Sequence, residues 1–385
     1  MSEPTPEGKR VSWAELFFDL VFVFAVTEVS TLIQAEHSAA ALLRGLIVFV
    51  PIYWVWVGTT IQVNLRDSNA AGLRISMFTV ALAGLFMALA APGAYQDRGL
   101  LFALAYWAAR LVLGIPMYLR GRLALNPYVV SMVLTGPLLV VGALAHGPTR
   151  EWVWGVSAVL DLSTPTVLRS RLKTLRYDAP HLAERFGLFV LIALGESVVA
   201  VGASVQSGGR LDVGVGAAVV AAFALSCGLW WVYFAFAADA VRHALATAKV
   251  QLDITRLVLS YGHLALIASI IVVSVGMRGA IARPGAQLSW AVTSLLFGGT
   301  AVYLATFGYT RWTMFHLLST TRLSAAALVL LLLPGARYLP ALASLYALAA
   351  IVAALNLIEH LRNAQIGWRA ALDRRHNRAQ PERTP

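Results

Sequence analysis

The feature that most constrains this chain is a succession of long apolar blocks separated by short polar stretches. Each block is about 20 residues long, which is the length that a helix needs to cross the hydrocarbon core of a bilayer. Backbone amides and carbonyls find no partners in lipid, so such blocks fold as membrane-spanning helices. The chain is therefore predicted to be an all-α integral membrane protein with about twelve transmembrane helices. The predicted spans are residues 15–34, 39–62, 73–93, 99–119, 128–146, 150–170, 184–206, 212–238, 254–277, 288–308, 320–334 and 340–361.

The composition agrees with this fold class. Of 385 residues, 59% are hydrophobic and 13% are charged, whereas roughly a quarter of the residues of a soluble domain are charged. The formal net charge of +11 raises the question of nucleic-acid binding. The basic residues lie between the apolar blocks, however, so the charge is assigned to the membrane surface and no nucleic-acid partner is predicted.

The distribution of lysine and arginine predicts the orientation of the chain. In helical membrane proteins the cytoplasmic loops carry an excess of these residues. With the amino terminus inside, 22 of the 30 lysines and arginines fall on the cytoplasmic side and 7 on the other side. Both termini are therefore predicted to be cytoplasmic, in the bacterial cytoplasmic (inner) membrane, and the basic side to contact anionic inner-leaflet lipids. Residues 1–14 are predicted to form a cytoplasmic segment and residues 363–385 a basic, disordered tail.

Two stretches of the chain resemble each other. The sequences ELFFDLVFVFAVTEVS around Glu28 and ERFGLFVLIALGESVV around Glu196 both open on an acidic residue and carry another 12 or 13 positions later. Aromatic residues recur at similar positions in the next span of each. An offset of six helices preserves orientation, so the pattern predicts two parallel six-helix halves, residues 15–176 and 177–362. Transporters built from repeats bind their substrates between them. Chance similarity between two apolar helices is the alternative.

These stretches also carry a resemblance to a known family. The sequences ELFFDLVFVFAVTEVS (15–30), HLAERFGLFVLIALGESVVAVG (181–202) and RLVLSYGHLALIASIIVVSVG (256–276) resemble the bacterial low temperature requirement A family. The resemblance covers most of the chain, although the last three helices match only in hydropathy. It implies a polytopic architecture and no particular reaction, because the family is named for a growth phenotype in the cold. The matching motif positions are Glu15, Asp19, Glu28, Glu184, Arg185, Glu196 and His263.

Acidic side chains inside the first and seventh spans are the leading candidate site residues. An ionisable side chain at the bilayer centre costs about 2.5 to 3.5 kcal/mol on insertion scales, so such residues usually face a bundle interior. The helical rise puts Glu28 ~20 Å from Glu15 and Glu196 ~18 Å from Glu184, at matching depth. Two carboxylates at one level in equivalent helices predict a shared proton or cation site. For each, a structural glutamate bound to a neighbouring helix is the alternative.

Three more ionisable residues are predicted to lie near mid-membrane: Arg110, Asp161 and His263. They can neutralise one another, and an acid left unpaired would be protonated or bound to a cation. This arrangement favours a proton relay or a general acid. Static helix-to-helix bridges, and a core histidine with its hydrogen bonds satisfied, are the alternatives.

Two acidic residues lie at the cytoplasmic entrance of the first helix. Glu15 and Asp19 are four residues apart and share one helical face. Asp19 and Glu28 lie about 180° apart around the helix, so they do not serve one narrow seam. Glu15 is predicted to pair with a basic residue of the loop before the seventh span, such as Arg185. A general preference of acids for helix amino termini is the alternative.

Four tryptophans occupy equivalent positions in the second and eighth spans and are predicted to be interior: Trp54, Trp56, Trp230 and Trp231. Core packing is one expectation for them. The other is an aromatic-lined cavity that holds an apolar or cationic substrate, the latter through the ring faces.

Absent motifs narrow the function. The sequence has no GxxxxGK[ST] phosphate loop, no HExxH and no His/Cys cluster, so ATP-driven pumping, a metal site and a cofactor are not predicted. Proton- or cation-coupled secondary transport of a small solute through a site between the halves is the first remaining function. A metal-independent intramembrane enzyme using a buried carboxylate as general acid on a lipid or isoprenoid is the second. A membrane stress-response or structural protein is the third. The sequence identifies neither the substrate nor the oligomeric state.

Overall fold

The fold is a bundle of long helices. The structure, a computed structural model, describes residues 9–36, 38–66, 70–119, 126–208 and 212–379. In these ranges the only β geometry is an isolated bridge between Gln287 and Pro340. The long helices are α1 (Trp13–Gln34), α2 (Ala39–Asn64), α3 (Ala71–Gly93), α4 (Gly99–Leu119), α5 (Pro127–Leu144), α6 (Pro148–Val167), α7 (Ala179–Gly208), α8 (Val213–Thr247), α9 (Gln251–Ala282), α10 (Trp290–Phe315), α11 (Thr320–Ala336) and α12 (Ala341–Ala379).

Ten helices in the described part of the chain are long and apolar enough to cross a membrane. The two long helices outside this group are α6, which contains Arg150, Glu151 and Asp161, and α11, which is 17 residues long. Each predicted span coincides with one of the long helices. The chain is therefore a multi-pass helical membrane protein, and the number of twelve crossings stays a prediction.

The last helix corrects the prediction for the carboxyl-terminal tail. Residues 363–385 are predicted to be disordered, yet α12 continues through this segment to Ala379. The added sequence is rich in alanine and arginine, which are good helix formers, and this outweighs its polarity. Residues 380–385 lie outside the described ranges, as do residues 1–8 of the predicted amino-terminal segment.

The packing order of the helices positions the polar clusters. Helix α1 packs against α2 and α3, and α7 packs against α8 and α9. The two parts of the chain meet where α1 and α2 contact α7 and α9. Phe22 on α1 and Phe189 on α7 are fully buried at this contact. The α1–α7 contact therefore forms the centre of the bundle.

Four of the long helices contain a π-helical segment. These segments lie in α5 (Ser131–Thr135), α8 (Tyr233–Ala237), α9 (Thr255–Gly262) and α10 (Ser294–Gly298). A π segment inserts an extra residue into the helix, changes the direction of the following side chains, and is frequent at functional sites. The segments of α5 and α8 contribute hydroxyl groups to the polar contacts described below, and the segment of α9 contributes a backbone carbonyl.

Candidate functional site

A group of buried polar residues connects α1 to α7, and we call Glu15, Asp19, His181 and Arg185 the Asp19 cluster. Arg185 Nη1 lies 2.5 Å from Asp19 Oδ2, and Nη2 donates to Asp19 Oδ1 at 2.8 Å. Trp56 Nε1 also donates to Asp19 Oδ1, at 2.8 Å. A guanidinium that binds both oxygens of a carboxylate fixes the relative orientation of the two side chains as well as pairing their charges. Asp19 is therefore held by three donors away from solvent.

Glu15 is the second acid of this cluster and is fully buried. Ser12 caps α1 by accepting from the Glu15 amide at 3.4 Å, while Ser12 N donates to Glu15 Oε1 at 3.1 Å. The other carboxylate oxygen lies 2.9 Å from His181 Nε2 and 3.4 Å from Arg185 Nε. The predicted pairing of Glu15 with Arg185 is thus present, and it coexists with a helix amino-terminal role.

The hydrogen-bond partners of His181 define its tautomer. Asn64 Nδ2 donates to the Asp178 carbonyl at 2.9 Å, and Asn64 Oδ1 accepts from the Asp178 amide at 3.1 Å, which fixes the amide orientation. The same Asn64 Nδ2 lies 3.0 Å from His181 Nδ1, which must therefore accept. His181 Nε2 consequently carries the hydrogen that it donates to Glu15.

A second buried group joins α1, α7 and α9, and we call Thr27, Ser30, Glu196 and Arg278 the Glu196 cluster. Glu196 accepts from Thr27 Oγ1 at 2.5 Å and from Ser30 Oγ at 3.2 Å. Arg278 forms an ion pair with Glu196 and donates through Nη1 to Gln34 Oε1 at 3.1 Å. One fully buried carboxylate thereby connects three helices.

Glu28 lies beside this cluster without joining it. Its side chain is half-buried and makes no hydrogen bond or ion pair with any residue in the described ranges. It is close enough to Glu196, Arg98 and Arg278 for their charges to act on its carboxyl group. The two acids predicted to share a site therefore share an electrostatic environment, and only Glu196 is ion-paired. Glu184, the motif acid at the start of α7, is exposed.

Aromatic rings separate the two clusters. Phe22 lies between Asp19 and Thr27 along α1, and Phe189 lies between Arg185 and Glu196 along α7. Trp56 stacks on Phe189 with ring centroids 4.2 Å apart and an interplanar angle of 12°, and the Phe22 ring approaches the Phe189 ring to 6.5 Å. From the helical rise, Arg185 and Glu196 are ~16 Å apart along α7. A buried aromatic layer therefore fills the space between two charged levels.

The three residues predicted to neutralise one another do not meet. Asp161 accepts hydrogen bonds from three hydroxyl groups: those of Tyr106, of Ser131 at 2.7 Å and of Thr135 at 2.8 Å. Ser131 and Thr135 belong to the π segment of α5. Hydroxyl donors therefore replace the predicted cation as partners of this carboxylate.

Arg110 lies on the other side of Tyr106. Its guanidinium carbon is 5.0 Å from the centroid of the Tyr106 ring, in cation–π geometry. Its side chain is buried, and Nε and Nη2 have no hydrogen-bond partner among the residues that the structure describes. Arg110 is thus a buried cation with an aromatic face as its neighbour.

His263 has two hydrogen-bond partners of its own. Its Nδ1 lies 3.0 Å from the Val258 carbonyl, so Nδ1 donates and Nε2 accepts from the Tyr233 hydroxyl at 2.8 Å. Both partners come from π segments. The ring also lines a cavity of about 230 Å³ that Arg322 shares. His263 therefore has the contacts of a satisfied core histidine at the edge of a cavity.

The four tryptophans divide into two pairs. Trp54 and Trp56 are buried, whereas Trp230 and Trp231 are 41% and 46% exposed, so the predicted interior position is wrong for the second pair. Tyr233, in the same part of α8, is buried. A shift of one residue in the alignment of two helices rotates a side chain by about 100° around the helix axis. Tryptophans at matching positions in the sequence therefore need not face the same side of their helices.

Several partners in these clusters escape the sequence argument. Arg278 is predicted to lie just outside the ninth span, but α9 continues to Ala282 and includes it. Glu196 and Arg278 both lie in the second half of their helices and carry opposite charge, which is a signal that would have linked them. The hydroxyls of Tyr106, Ser131 and Thr135 carry no such signal.

Across the described part of the chain, no three His, Cys, Asp or Glu residues lie close enough to hold a metal ion.

Comparison with known proteins identifies relatives of the chain. The family described as bacterial low temperature requirement A protein matches residues 10–357. An uncharacterised protein of Rhizobium meliloti (strain 1021) is 30% identical over 311 residues, which are 77% of this chain and 76% of that protein. No solved structure matches the chain. Because the family match covers most of its length, this multi-pass membrane protein belongs to the bacterial low temperature requirement A family.

Proposed function

We propose that the protein is a proton- or cation-coupled secondary transporter of a small solute, and that the α1–α7 contact couples ion binding to movement of its two halves. The observation that carries the proposal is the pair of buried acidic clusters at two levels of this contact. The aromatic layer around Phe189 lies between them. Alternating access requires a barrier that blocks the path between the two sides of the membrane. The aromatic layer between the two ionisable clusters is the proposed barrier.

The Glu196 cluster is the proposed ion-binding element. Protonation of Glu196 would remove the charge that holds Arg278, while leaving hydrogen bonds to Thr27 and Ser30 available. Removing one charge from this ion pair changes the free energy by about 1 to 2 kcal/mol, which shifts a two-state equilibrium between conformations roughly 5- to 30-fold. A sodium ion or another small cation is the alternative occupant of the same carboxylate.

Glu28 is the proposed entry point for the proton. It is half-buried, whereas Glu196 is fully buried, and the residue before it, Thr27, donates to Glu196. A partly exposed acid beside an enclosed one is the step proposed to lead a proton to the buried carboxylate. We assign Glu28 to relay and Glu196 to binding.

The repeated order of helix contacts supports two parallel six-helix halves, residues 15–176 and 177–362. In the first half α1 packs on α2 and α3, α3 on α4, α5 on α6, and α2 on α6. In the second half α7 packs on α8 and α9, α9 on α10, α11 on α12, and α8 on α12. These contacts correspond one to one after a shift of six helices. Transport sites in such folds lie between the repeats.

The distribution of basic residues supports the proposed location. With 22 of 30 lysines and arginines on one side, both termini would be cytoplasmic in the inner membrane, with twelve crossings and anionic lipids at the basic surface.

An intramembrane enzyme, the alternative function, needs an acid facing a cavity. Asp19, Asp161 and Glu196 are instead enclosed by protein donors.

Proton movement in proteoliposomes tests the proposal. The full-length protein is reconstituted with the pH dye pyranine inside, and amino acids, sugars and organic acids are added outside one at a time. We expect at least one solute to move protons with the wild-type protein and with Glu184→Gln, which removes an exposed acid from the same helix. The same solute should move none with Glu196→Gln. Equal rates for Glu196→Gln and wild type would contradict the mechanism.

A further inference from the structure

A small cavity lies between α2, the start of α5 and the start of α9, away from both acidic clusters. Its volume is about 80 Å³, and its walls are mostly apolar or aromatic, with Trp54, Tyr128 and Tyr177 among the lining side chains. Arg110 and Arg256 also line it, and no acidic residue does among the residues that the structure describes. Arg256 is ion-paired with Asp253, so the cavity combines apolar walls with the positive charge of Arg110, which is unpaired within the described ranges.

Unpartnered hydrogen-bond donors concentrate at this cavity. Buried side-chain atoms without a partner in the described part of the chain include Arg110 Nε and Nη2, Arg256 Nε and Thr255 Oγ1. All three residues line the cavity. Arg110 is only 2% exposed, so water at the protein surface does not satisfy it. Buried donors of this kind are costly unless something accepts from them.

Asp161, which also contacts Tyr106, makes no ion pair with Arg110 in the described structure. Its carboxylate accepts from Tyr106, Ser131 and Thr135. Arg110 meets the face of the Tyr106 ring, which offers no lone pair to its N–H groups. The guanidinium thus keeps its charge and free donors, and an anion is the species that would satisfy both.

The backbone at Gly58 makes room for this guanidinium. A Cβ at that position would lie 3.0 Å from Arg110 Nη1 and 3.4 Å from Tyr128 Cε1. The Tyr128 hydroxyl donates to the Gly58 carbonyl at 2.9 Å, which holds the Tyr128 side chain in place as one wall of the cavity. The absence of a side chain at Gly58 therefore sets both the position of Arg110 and the space beside it.

We propose that this cavity binds a small organic carboxylate with a short apolar tail. The planar guanidinium of Arg110 matches the two oxygens of a carboxylate, and Thr255 and Arg256 supply further donors. The tail would contact the Trp54 and Tyr128 rings. The limited volume and the apolar walls disfavour a bulky phosphate ester. The binding site stands independently of the transport proposal, because none of its residues belongs to the Asp19 or Glu196 cluster.

Equilibrium dialysis of radiolabelled acetate against the full-length protein in neutral detergent tests the site. We expect saturable binding to the wild-type protein and at least ~10-fold weaker binding to Arg110→Gln, because a charge-assisted contact is lost. Acetamide, which has nearly the same shape without the charge, should not compete. Inorganic phosphate should not compete either. Competition by phosphate but not by acetamide would identify a general anion site and overturn the assignment to an organic carboxylate.

Two further variants separate binding from folding. Gly58→Ala should weaken acetate binding without removing any charge, because its methyl group enters the space of the guanidinium. Arg242→Gln removes an exposed arginine that pairs only with Asp239 in the described structure, and it should bind as wild type does. Equal binding by wild type, Arg110→Gln and Gly58→Ala, no binding by wild type, or competition by acetamide would each overturn the proposal.

Discussion

The Asp19 and Glu196 clusters join the same two helices but differ in how completely their charged groups are enclosed. In the first, two carboxylates face Arg185, His181 and Trp56, and all the side chains are buried. In the second, one carboxylate faces two hydroxyls and Arg278, whose side chain is 10% exposed. Glu28 stands half-buried beside it. We infer from this contrast that an enclosed ion network fixes helix packing, whereas a smaller and partly exposed network is able to exchange a proton.

The largest expected effect is at Arg185. Arg185→Gln leaves Asp19 and Glu15 buried without their cation, and uncompensated buried charge of this kind costs about 3 to 5 kcal/mol. We expect that much loss in the free energy of unfolding, measured by denaturant titration in detergent. The double variant Asp19→Asn/Arg185→Gln should recover part of the loss. Wild-type stability of the single variant would show that the Asp19 cluster does not fix the packing.

Trp56→Phe is expected to have the next largest effect. It keeps an aromatic ring for stacking on Phe189 but removes the donor to Asp19, and a hydrogen bond to a charged group is worth about 1.5 to 3 kcal/mol. The free energy of unfolding should fall by that amount. Trp230→Phe, which changes an exposed tryptophan, is the matched control and should be neutral. Equal effects of both substitutions would mean that the Asp19 contact contributes nothing.

Glu196→Gln should destabilise the fold less than Arg185→Gln does. The amide keeps one oxygen acceptor, and its NH2 group can donate to the hydroxyl that loses its acceptor. Arg278 is partly exposed and has a second partner in Gln34. We expect a loss of about 1 to 2 kcal/mol in the free energy of unfolding. A loss as large as that of Arg185→Gln would erase the proposed difference between the two clusters.

Thr27→Val is the smallest change. It is nearly isosteric and removes one hydroxyl donor to Glu196, so the free energy of unfolding should fall by about 0.5 to 1.5 kcal/mol. Thr31→Val on the same helix, where the hydroxyl is exposed and donates only to the Thr27 carbonyl among the described residues, serves as control. Identical stabilities of the two variants would indicate that the short Thr27–Glu196 contact has no energetic weight.

The sequence predicts the helices well because bilayer thickness translates directly into the length of an apolar block. It also predicts the Glu15–Arg185 pairing, because both residues lie at the same membrane level and carry opposite charge. It does not predict that Trp230 and Trp231 face outward, because helix rotation depends on packing that composition does not encode. It does not identify hydroxyls such as Ser131 and Thr135 as partners of Asp161, because such residues are common in helices that pack closely.

The Arg110 cavity shows a second limit of sequence reasoning. The position of Arg110 within a span marks it as unusual, and charge balance then suggests an acidic partner. The structure instead gives Asp161 three hydroxyl donors and leaves Arg110 facing a cavity beside Gly58. The geometry of Tyr106 between the two charges decides this outcome, and spacing along the chain carries no information about it.

The most direct test of the central claim is the protonation of Glu196 itself. Infrared difference spectra recorded between neutral and acidic pH, in a Glu28→Gln background that removes the neighbouring acid, report the carbonyl stretch of a newly protonated buried carboxyl group. If Glu196 is the exchangeable acid, this band appears in the Glu28→Gln protein and is absent when Glu196→Gln is added. A band that persists with Glu196→Gln, or that disappears only when Asp19 is replaced by Asn, would contradict the assignment of Glu196 as the exchangeable acid.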